Sequence, residues 1–529
     1  MPDPGTLRTL LSESAARHPG RVAAIDTVAG EAVGGLTYAE LDERAGRYAA
    51  GLADLGVGAG DTVAVLLPNG ADYAALVFAI AELGAVYTGV PIAYGPAEIE
   101  SILAGGRASV LVHADRFRRH DLRATVAAMR SRLPHLRSVV VADRTPIADL
   151  DRPRRPAPAV APESIVHIGF TSGTTGAPKG VLNSHRTLRT VIREWVEHVG
   201  ADVLGTPPVN LVASPMGHHT GFVWGALCTA YLGGTAVYLD HWRPDHAATA
   251  IARHGVTALF GAPVFLQDLL HAGAPKGLRA VVVAGAPVPR SLPALASERL
   301  GVQVLPAWGM TEYAIGISWT PRLSGGVPHS DGWPVPGCEV RIVRADGTPC
   351  VPGETGELHI RGAGLFAGYL DRPDAETFPD GWFRTGDTAL WHQDGSISLQ
   401  GRDKDIVIRG GENIPAVRVE SALLDHPAVA EAAVIGVPHE RLGEVACAVL
   451  VTEGPRPDLR EIGEFLRSCG LSTHWLPERL EIVDALPRTP SGKIRKVELR
   501  ERFGGARAGG ERAGGERAGG ERADAAAAD

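Results

Sequence analysis

Eight short apolar runs of β type, at residues 63–67, 110–112, 139–141, 165–170, 211–213, 236–239, 258–260 and 280–283, recur along the chain with helical patterns between several of them. Strands that alternate with helices pair side by side beneath covering helices, so the spacing predicts an α/β fold with mainly parallel sheets. One helix is legible down to its ends. Thr37-Tyr-Ala-Glu40 forms a capping box, in which the threonine hydroxyl and the glutamate carboxylate each take up a backbone N–H that the first turn leaves open. Leu41, Ala45, Tyr48, Ala49, Leu52 and Leu55 then share one helical face, and Gly56 ends it. The most apolar stretch, residues 73–90, contains Glu82 and Gly84 and reads as a buried helix running into a strand. It falls short of a membrane span.

A chain of 529 residues is too long for one hydrophobic core and calls for at least two domains. A hydrophobic content of 45% with a net charge of −8 describes a globular protein without the basic surface that nucleic acid requires. The five cysteines are scattered, with no CxxC pair and no metal-finger spacing, which suits a reducing cytoplasm. The start, Met-Pro-Asp-Pro-Gly, lacks the basic-then-apolar pattern of a signal peptide. From Cys338 the texture shifts to shorter strands, and Asp346-Gly347 and Asp394-Gly395 are hairpin signals. Residues 405–502 carry their own α+β pattern. The Gly-Gly-Glu-Arg-Ala repeats from Gly509 onward bury nothing and predict a disordered tail.

Chemistry concentrates first in Phe170-Thr-Ser-Gly-Thr-Thr-Gly-Ala-Pro-Lys-Gly180, directly after a strand pattern. Glycines let backbone N–H groups close around an anion, hydroxyls add donors, and Lys179 adds charge, so the segment suits a polyphosphate. It is not a Walker loop, because Pro178 precedes the lysine and biases Ala177 away from helix. Trp308-Gly309-Met310-Thr311-Glu312 follows another strand pattern. Trp308 suits a flat ring, Thr311 a phosphate, and Glu312 a hard cation such as Mg²⁺. Asp387, in Gly-Trp-Phe-Arg-Thr-Gly-Asp, and Arg402, in Gly-Arg-Asp-Lys-Asp, suit a ribose diol. Leu486-Pro-Arg-Thr-Pro-Ser-Gly-Lys493 sets one lysine on a loop shaped by proline and glycine.

These five segments, in this order, resemble the adenylate-forming superfamily of acyl- and aryl-CoA synthetases, luciferases and peptide-synthetase adenylation domains, over about residues 36–500. The resemblance implies a large, multi-subdomain N-terminal AMP-binding part over residues 1–401, including a β-rich subdomain. A small mobile α+β C-terminal domain over 402–503 would follow, and then the tail, 504–529. It implies that Thr171, Ser172, Gly173, Thr174, Thr175, Gly176 and Lys179 wrap the β- and γ-phosphates of ATP, and that Gly285, Ala286, Pro287 and Trp308 flank adenine, beside Gly309 and Met310. Thr311 would meet the α-phosphate, Glu312 would bind Mg²⁺, and Asp387 and Arg402 would hold the ribose. Lys493 would bridge the carboxylate and the α-phosphate, Lys404 would be the hinge, and Gly410 and Gly411 would face the thiol acceptor. The implied activity is ATP-dependent conversion of a carboxylic acid to an acyl-adenylate with release of pyrophosphate, followed by transfer to CoA. The alternative acceptor is the phosphopantetheine of an acyl or peptidyl carrier protein.

Pro215-Met-Gly-His-His-Thr-Gly221 resembles the family's pocket segment, which aligns His218 with a histidine beside the acyl channel. Gly221, Phe222, Val264 and Trp308 complete the expected pocket, suited to a medium acyl, alicyclic or aryl acid. No aspartate stands where an ammonium group would need one, which disfavours amino acids, and His218 stands where stand-alone activators of hydroxybenzoates tend to carry asparagine, which leans against those acids too. Pro415 and Arg418 replace a tyrosine and a glutamate usual in the family; the proline resembles a subgroup acting on cyclohexanecarboxylate-like acids. Gly362-Ala-Gly-Leu-Phe-Ala367 formally matches a dinucleotide fingerprint, but no helical pattern follows it, which argues against a dehydrogenase. A non-catalytic homologue would lack Lys493 or Glu312, and both are present.

Overall fold

The computed structural model describes residues 5–171, 179–273, 277–370, 377–402, 406–409, 412–439, 441–471, 473–489 and 492–504. All eight expected strands are present, and the expectation of mainly parallel sheets holds in two of them. The larger sheet runs, edge to edge, through Trp333–Pro334, Tyr313–Ser318, Gln303–Met310, Ala280–Val283, Ala258–Gly261, Val209–Val212, Thr235–Leu239, Val22–Val28 and Glu31–Thr37. Its interior pairs are parallel, and the outermost pairs at both ends are antiparallel. The second sheet runs Gly368–Tyr369, Lys179–Ser184, Ile165–Thr171, Val86–Gly89, Thr62–Leu66, Val110–Ala114 and Ser138–Ala142.

Local sequence chemistry is realised at the element ends. Thr37 and Glu40 exchange both capping hydrogen bonds at the start of helix Tyr38–Asp54, whose Leu41, Ala45, Tyr48, Ala49 and Leu52 are buried. The apolar stretch becomes the buried helix Ala71–Glu82 followed by strand Val86–Gly89. Asp394-Gly395 turns the hairpin between Phe383–Trp391 and Ile397–Arg402, two strands of a four-stranded antiparallel sheet. After strand Thr355–Arg361 the fingerprint-like glycines lead into the short strand Gly368–Tyr369 with no helix, so the dinucleotide match is accidental.

The C-terminal part is a separate α+β unit with its own cores. In strand Gly443–Thr452, Ala446, Ala448 and Leu450 face helices Ala416–Leu423 and Leu459–Ser468, while Val445, Cys447 and Val449 face Leu499 of helix Lys496–Phe503. Successive side chains on a strand point to opposite faces, so a strand with helices on both sides must be apolar throughout. Among the described residues no helix is long and apolar enough to cross a membrane.

Candidate active site

The Met310–Tyr313 pairing leaves Thr311 and Glu312 as the two central residues of a tight antiparallel turn between Gln303–Met310 and Tyr313–Ser318. That turn meets the second sheet at the point where the hydroxyl-rich loop begins. Gly169 lies two residues before Thr171, and a Cβ there would stand 2.6 Å from Thr311 Cγ2, so only glycine admits this approach. The loop's far end is Lys179, paired with Thr171 across an antiparallel hairpin. A strand, not a helix, follows the loop, as the reading against a Walker loop requires. Ser172, Gly173, Thr174, Thr175 and Gly176 lie outside the described residues, as do Lys404, Gly410, Gly411 and residues 505–529 of the tail.

Lys179 Nζ sits 5.5 Å from the centroid of the Tyr369 ring, and the Tyr369 hydroxyl donates to Glu312 Oε1 at 2.7 Å. The structure thus brings Lys179, Thr311 and Glu312 to one place. Tyr369, which the sequence reading missed, is the residue between them. Its only prior signal was an aromatic in a short Gly-Tyr strand pairing beside Val181 and Leu182.

Among the expected nucleobase and ribose residues, Trp308 of the nine-stranded sheet meets Asp387 of the four-stranded sheet. Parallel pairing of Val283 with Pro306 carries Gly285, Ala286 and Pro287 out of the sheet beside Trp308. Trp308 is 9% exposed, and its indole N–H donates to Asp387 Oδ2 at 2.9 Å. Asp387 pairs with Arg402 across the strand ladder. Replacing Trp308 by Phe removes one donor to that buried carboxylate, so Trp308→Phe should cost about 1–3 kcal/mol of stability. The shift of the urea midpoint measures it; no shift would mean that the indole N–H contributes nothing to the fold.

Tyr94, His167, Phe170, His218, His219 and Thr311 line one cavity between the two sheets. Phe222, in the π-helical turn Thr220–Leu227, packs against Tyr87 and His167 at 4.9 and 4.8 Å behind it. Burial, with the charge of Lys493 nearby, pushes His218 down to about 4. Burial, with His218 beside it, pushes His219 down to about 3. Both imidazoles are therefore neutral at pH 7, and neither ring nitrogen of His219 has a hydrogen-bond partner. His167 and His219 were missed in the sequence reading; a histidine inside the apolar run 165–170 was the available hint for the first.

Lys493, in the C-terminal unit, lies near enough for its charge to be felt at His218. Arg488 donates to the Gly492 carbonyl at 2.6 Å and to Glu431 Oε2 at 2.7 Å, and the Lys493 N–H donates to Thr489 Oγ1 at 3.1 Å. Gly492, at φ +85°, approaches Val264 so closely that a Cβ would stand 3.0 Å from Val264 Cγ1. Arg418 is exposed and lies over the Trp475 ring at 5.0 Å.

A cavity lined by Thr311 of the Thr-Glu turn and by Gly169 and Phe170 of the strand that leads into the hydroxyl-rich segment, with the Lys493 charge felt at His218, fits an enzyme that handles a phosphorylated nucleotide. Residues 11–370 match the AMP-binding enzyme family and residues 418–493 the AMP-binding enzyme C-terminal domain, and the chain belongs to that family. It is 34% identical to the salicyl-AMP ligase / salicyl-S-ArCP synthetase of Mycobacterium tuberculosis, over 94% of this chain and 91% of the relative. It is 37% identical to a feruloyl-CoA synthase of Amycolatopsis sp, over 89% of this chain and 94% of the relative. Among solved structures, the anthranilate CoA ligase AuaEII in complex with anthranoyl-AMP superposes with a TM-score of 0.86 at 26% identity, covering 95% of this chain and 98% of that one. Like other members of its family, the protein is an AMP-forming acid–thiol ligase that uses ATP and a thiol acceptor.

Proposed function

We propose that the protein activates a compact, ring-bearing carboxylic acid as its acyl-adenylate and passes the acyl group to CoA. The observation that carries this is the convergence of Lys179, Tyr369 and Glu312 beside Thr311, which lines a cavity shared with His218, the histidine that feels the charge of Lys493. A carboxylate attacks a phosphate poorly because two anions must approach each other. Lys179 and Lys493 would lower that repulsion, and Thr311 would donate to the α-phosphate. The acid's oxygen forms a bond to the α-phosphorus as the bond to pyrophosphate breaks. The thiol sulfur then bonds to the acyl carbon, and AMP leaves.

Glu312 fits a hard divalent cation: it is a buried carboxylate with one oxygen already oriented by Tyr369. Mg²⁺ held there would neutralise phosphate charge during the first step. The nucleobase would lie against Trp308 and the Gly285–Pro287 segment, and the ribose diol at Asp387 and Arg402. A lysine held over the phosphate obstructs the incoming thiol, so we assign residues 402–503 to a domain that turns about Lys404 and presents Gly410 and Gly411 to the acceptor. The N-terminal AMP-binding domain would then span residues 1–401 and the tail residues 504–529. Five free cysteines spread over the chain support a reducing, cytoplasmic setting.

The cavity supports the ring preference. Tyr94, His167, Phe170, His218 and His219 present flat rings to it beside glycines, Pro91, Ile102 and Thr311. His219, without a hydrogen-bond partner among the described residues, offers a donor and an acceptor to a hydroxyl, amino or ring-nitrogen substituent. The similar proteins named for salicyl, feruloyl and anthranoyl groups agree with an aryl acid. Pyrophosphate exchange across aryl, alicyclic and medium-chain acids, followed by thioester formation with CoA or a holo carrier protein, tests both halves. Polar-substituted aryl acids should exchange at least about tenfold faster than unbranched acyl acids, one hydrogen bond's worth. Thioester formed only on carrier protein would replace CoA as the acceptor, and preference for unbranched acids would overturn the ring assignment.

A further inference from the structure

A second cluster of metal-ligating side chains stands away from the nucleotide site, where strand Thr235–Leu239 ends and helix Pro244–His254 begins. Asp240 and His241 occupy the turn and His246 the first turn of the helix. One ligand atom from each lies within 4.8 Å of the other two. Asp240 Oδ1, His241 Nδ1 and His246 Nδ1 are all shielded from solvent, and among the described residues none has a hydrogen-bond partner. His241 Nδ1 comes within 2.9 Å of Asp240 Oδ2 without the orientation of a hydrogen bond, and the two imidazole rings stand edge to face with centroids 5.2 Å apart. The nearest cation in sequence, Arg243, is already taken by both oxygens of Asp245. Buried polar atoms ordinarily find hydrogen-bond partners, so a shielded atom without one on each of three residues whose ligand atoms gather within 4.8 Å calls for a shared partner.

We propose that Asp240, His241 and His246 bind a divalent transition metal of the zinc class, with solvent in the fourth position. Two imidazoles and a carboxylate suit Zn²⁺ rather than Mg²⁺, which prefers oxygen ligands. Ligand atoms around a tetrahedral zinc stand about 3.3 Å apart, so binding would draw the side chains in from separations of up to 4.8 Å by rotation about χ1 and χ2. The ion would pin the turn that carries Trp242. That indole donates to Asp268 Oδ2 at 2.7 Å and packs on Phe265 at 4.3 Å, within the helix Pro263–Ala272 whose Val264 meets the Lys493 loop. The site would thus brace the wall of the acid pocket without touching substrate.

The test uses the full chain without an affinity tag, in excess Mg²⁺ so that the nucleotide site does not compete. Zn²⁺ titration against a chromophoric chelator should give one equivalent per chain, Co²⁺ should give the visible bands of a four-coordinate site, and Zn²⁺ should raise the thermal midpoint by mass action. His246→Ala and Asp240→Asn should each weaken binding by at least the about 10–100-fold that follows loss of even an outer-shell partner, and should remove the thermal shift. Asp240→Asn keeps the side-chain volume and decides the matter should His246→Ala fail to fold. Several weak equivalents without the Co²⁺ bands, or stoichiometric binding unchanged in Asp240→Asn, would overturn the assignment.

Discussion

Lys493→Ala should slow acyl-adenylate formation by about 10²–10³-fold, the loss that follows removal of one preorganised charge-stabilising donor. Transfer from preformed acyl-adenylate to the thiol should change little. The two outcomes separate because the lysine acts only while negative charge gathers at the α-phosphate. The loop itself should survive the substitution, since Arg488, Thr489 and the Gly492 contact with Val264 hold its backbone. A spectroscopic readout accompanies the kinetics. Burial, and after it the Lys493 charge, hold His218 at about 4, so removing the cation should move its titration upward toward the ordinary 6.5. Histidine resonances followed against pH would show the direction. Equal loss in both half-reactions, or an unmoved His218, would place Lys493 away from the reacting groups.

Glu312→Gln keeps the shape of the side chain and removes its charge. We expect pyrophosphate exchange to fall about 10²-fold, with a higher Mg²⁺ concentration needed for half-maximal rate. The KM for the acid should be nearly unchanged, because the carboxylate is assigned to the phosphate side of the cavity. Tyr369→Phe should be much milder: it removes one hydrogen bond to a charged group, worth about 1.5–3 kcal/mol, and leaves the carboxylate in place. Rate measured against Mg²⁺ for both variants tests the assignment. A Glu312→Gln effect confined to the KM for the acid would contradict it.

Much of this molecule was legible before its structure. The strand at residues 280–283, the Thr37–Glu40 cap and the Asp394-Gly395 turn depend on periodicity and turn chemistry within a few residues, and each is present. The motif set pointed to the family, and the family matches agree. The accidental dinucleotide fingerprint shows the opposite limit: a short pattern means nothing unless the element that follows it is a helix.

The amino-acid order alone determined which chemistry was on hand: hydroxyls and glycines before Lys179, a carboxylate at Glu312, a lysine on a stiff loop at 493. Only the tertiary structure decided which of these groups share a space. Tyr369 reaches Glu312 across 57 positions, and Trp308 reaches Asp387 across 79. His167, in strand Ile165–Thr171, and His219, just before the turn Thr220–Leu227, meet at 5.4 Å. Such pairs have no periodicity to betray them, because the packing of two sheets, and not the chain between the partners, sets their separation. The physical reason is that local propensity acts over a turn or a strand, while desolvation and charge act across whatever the fold brings into contact.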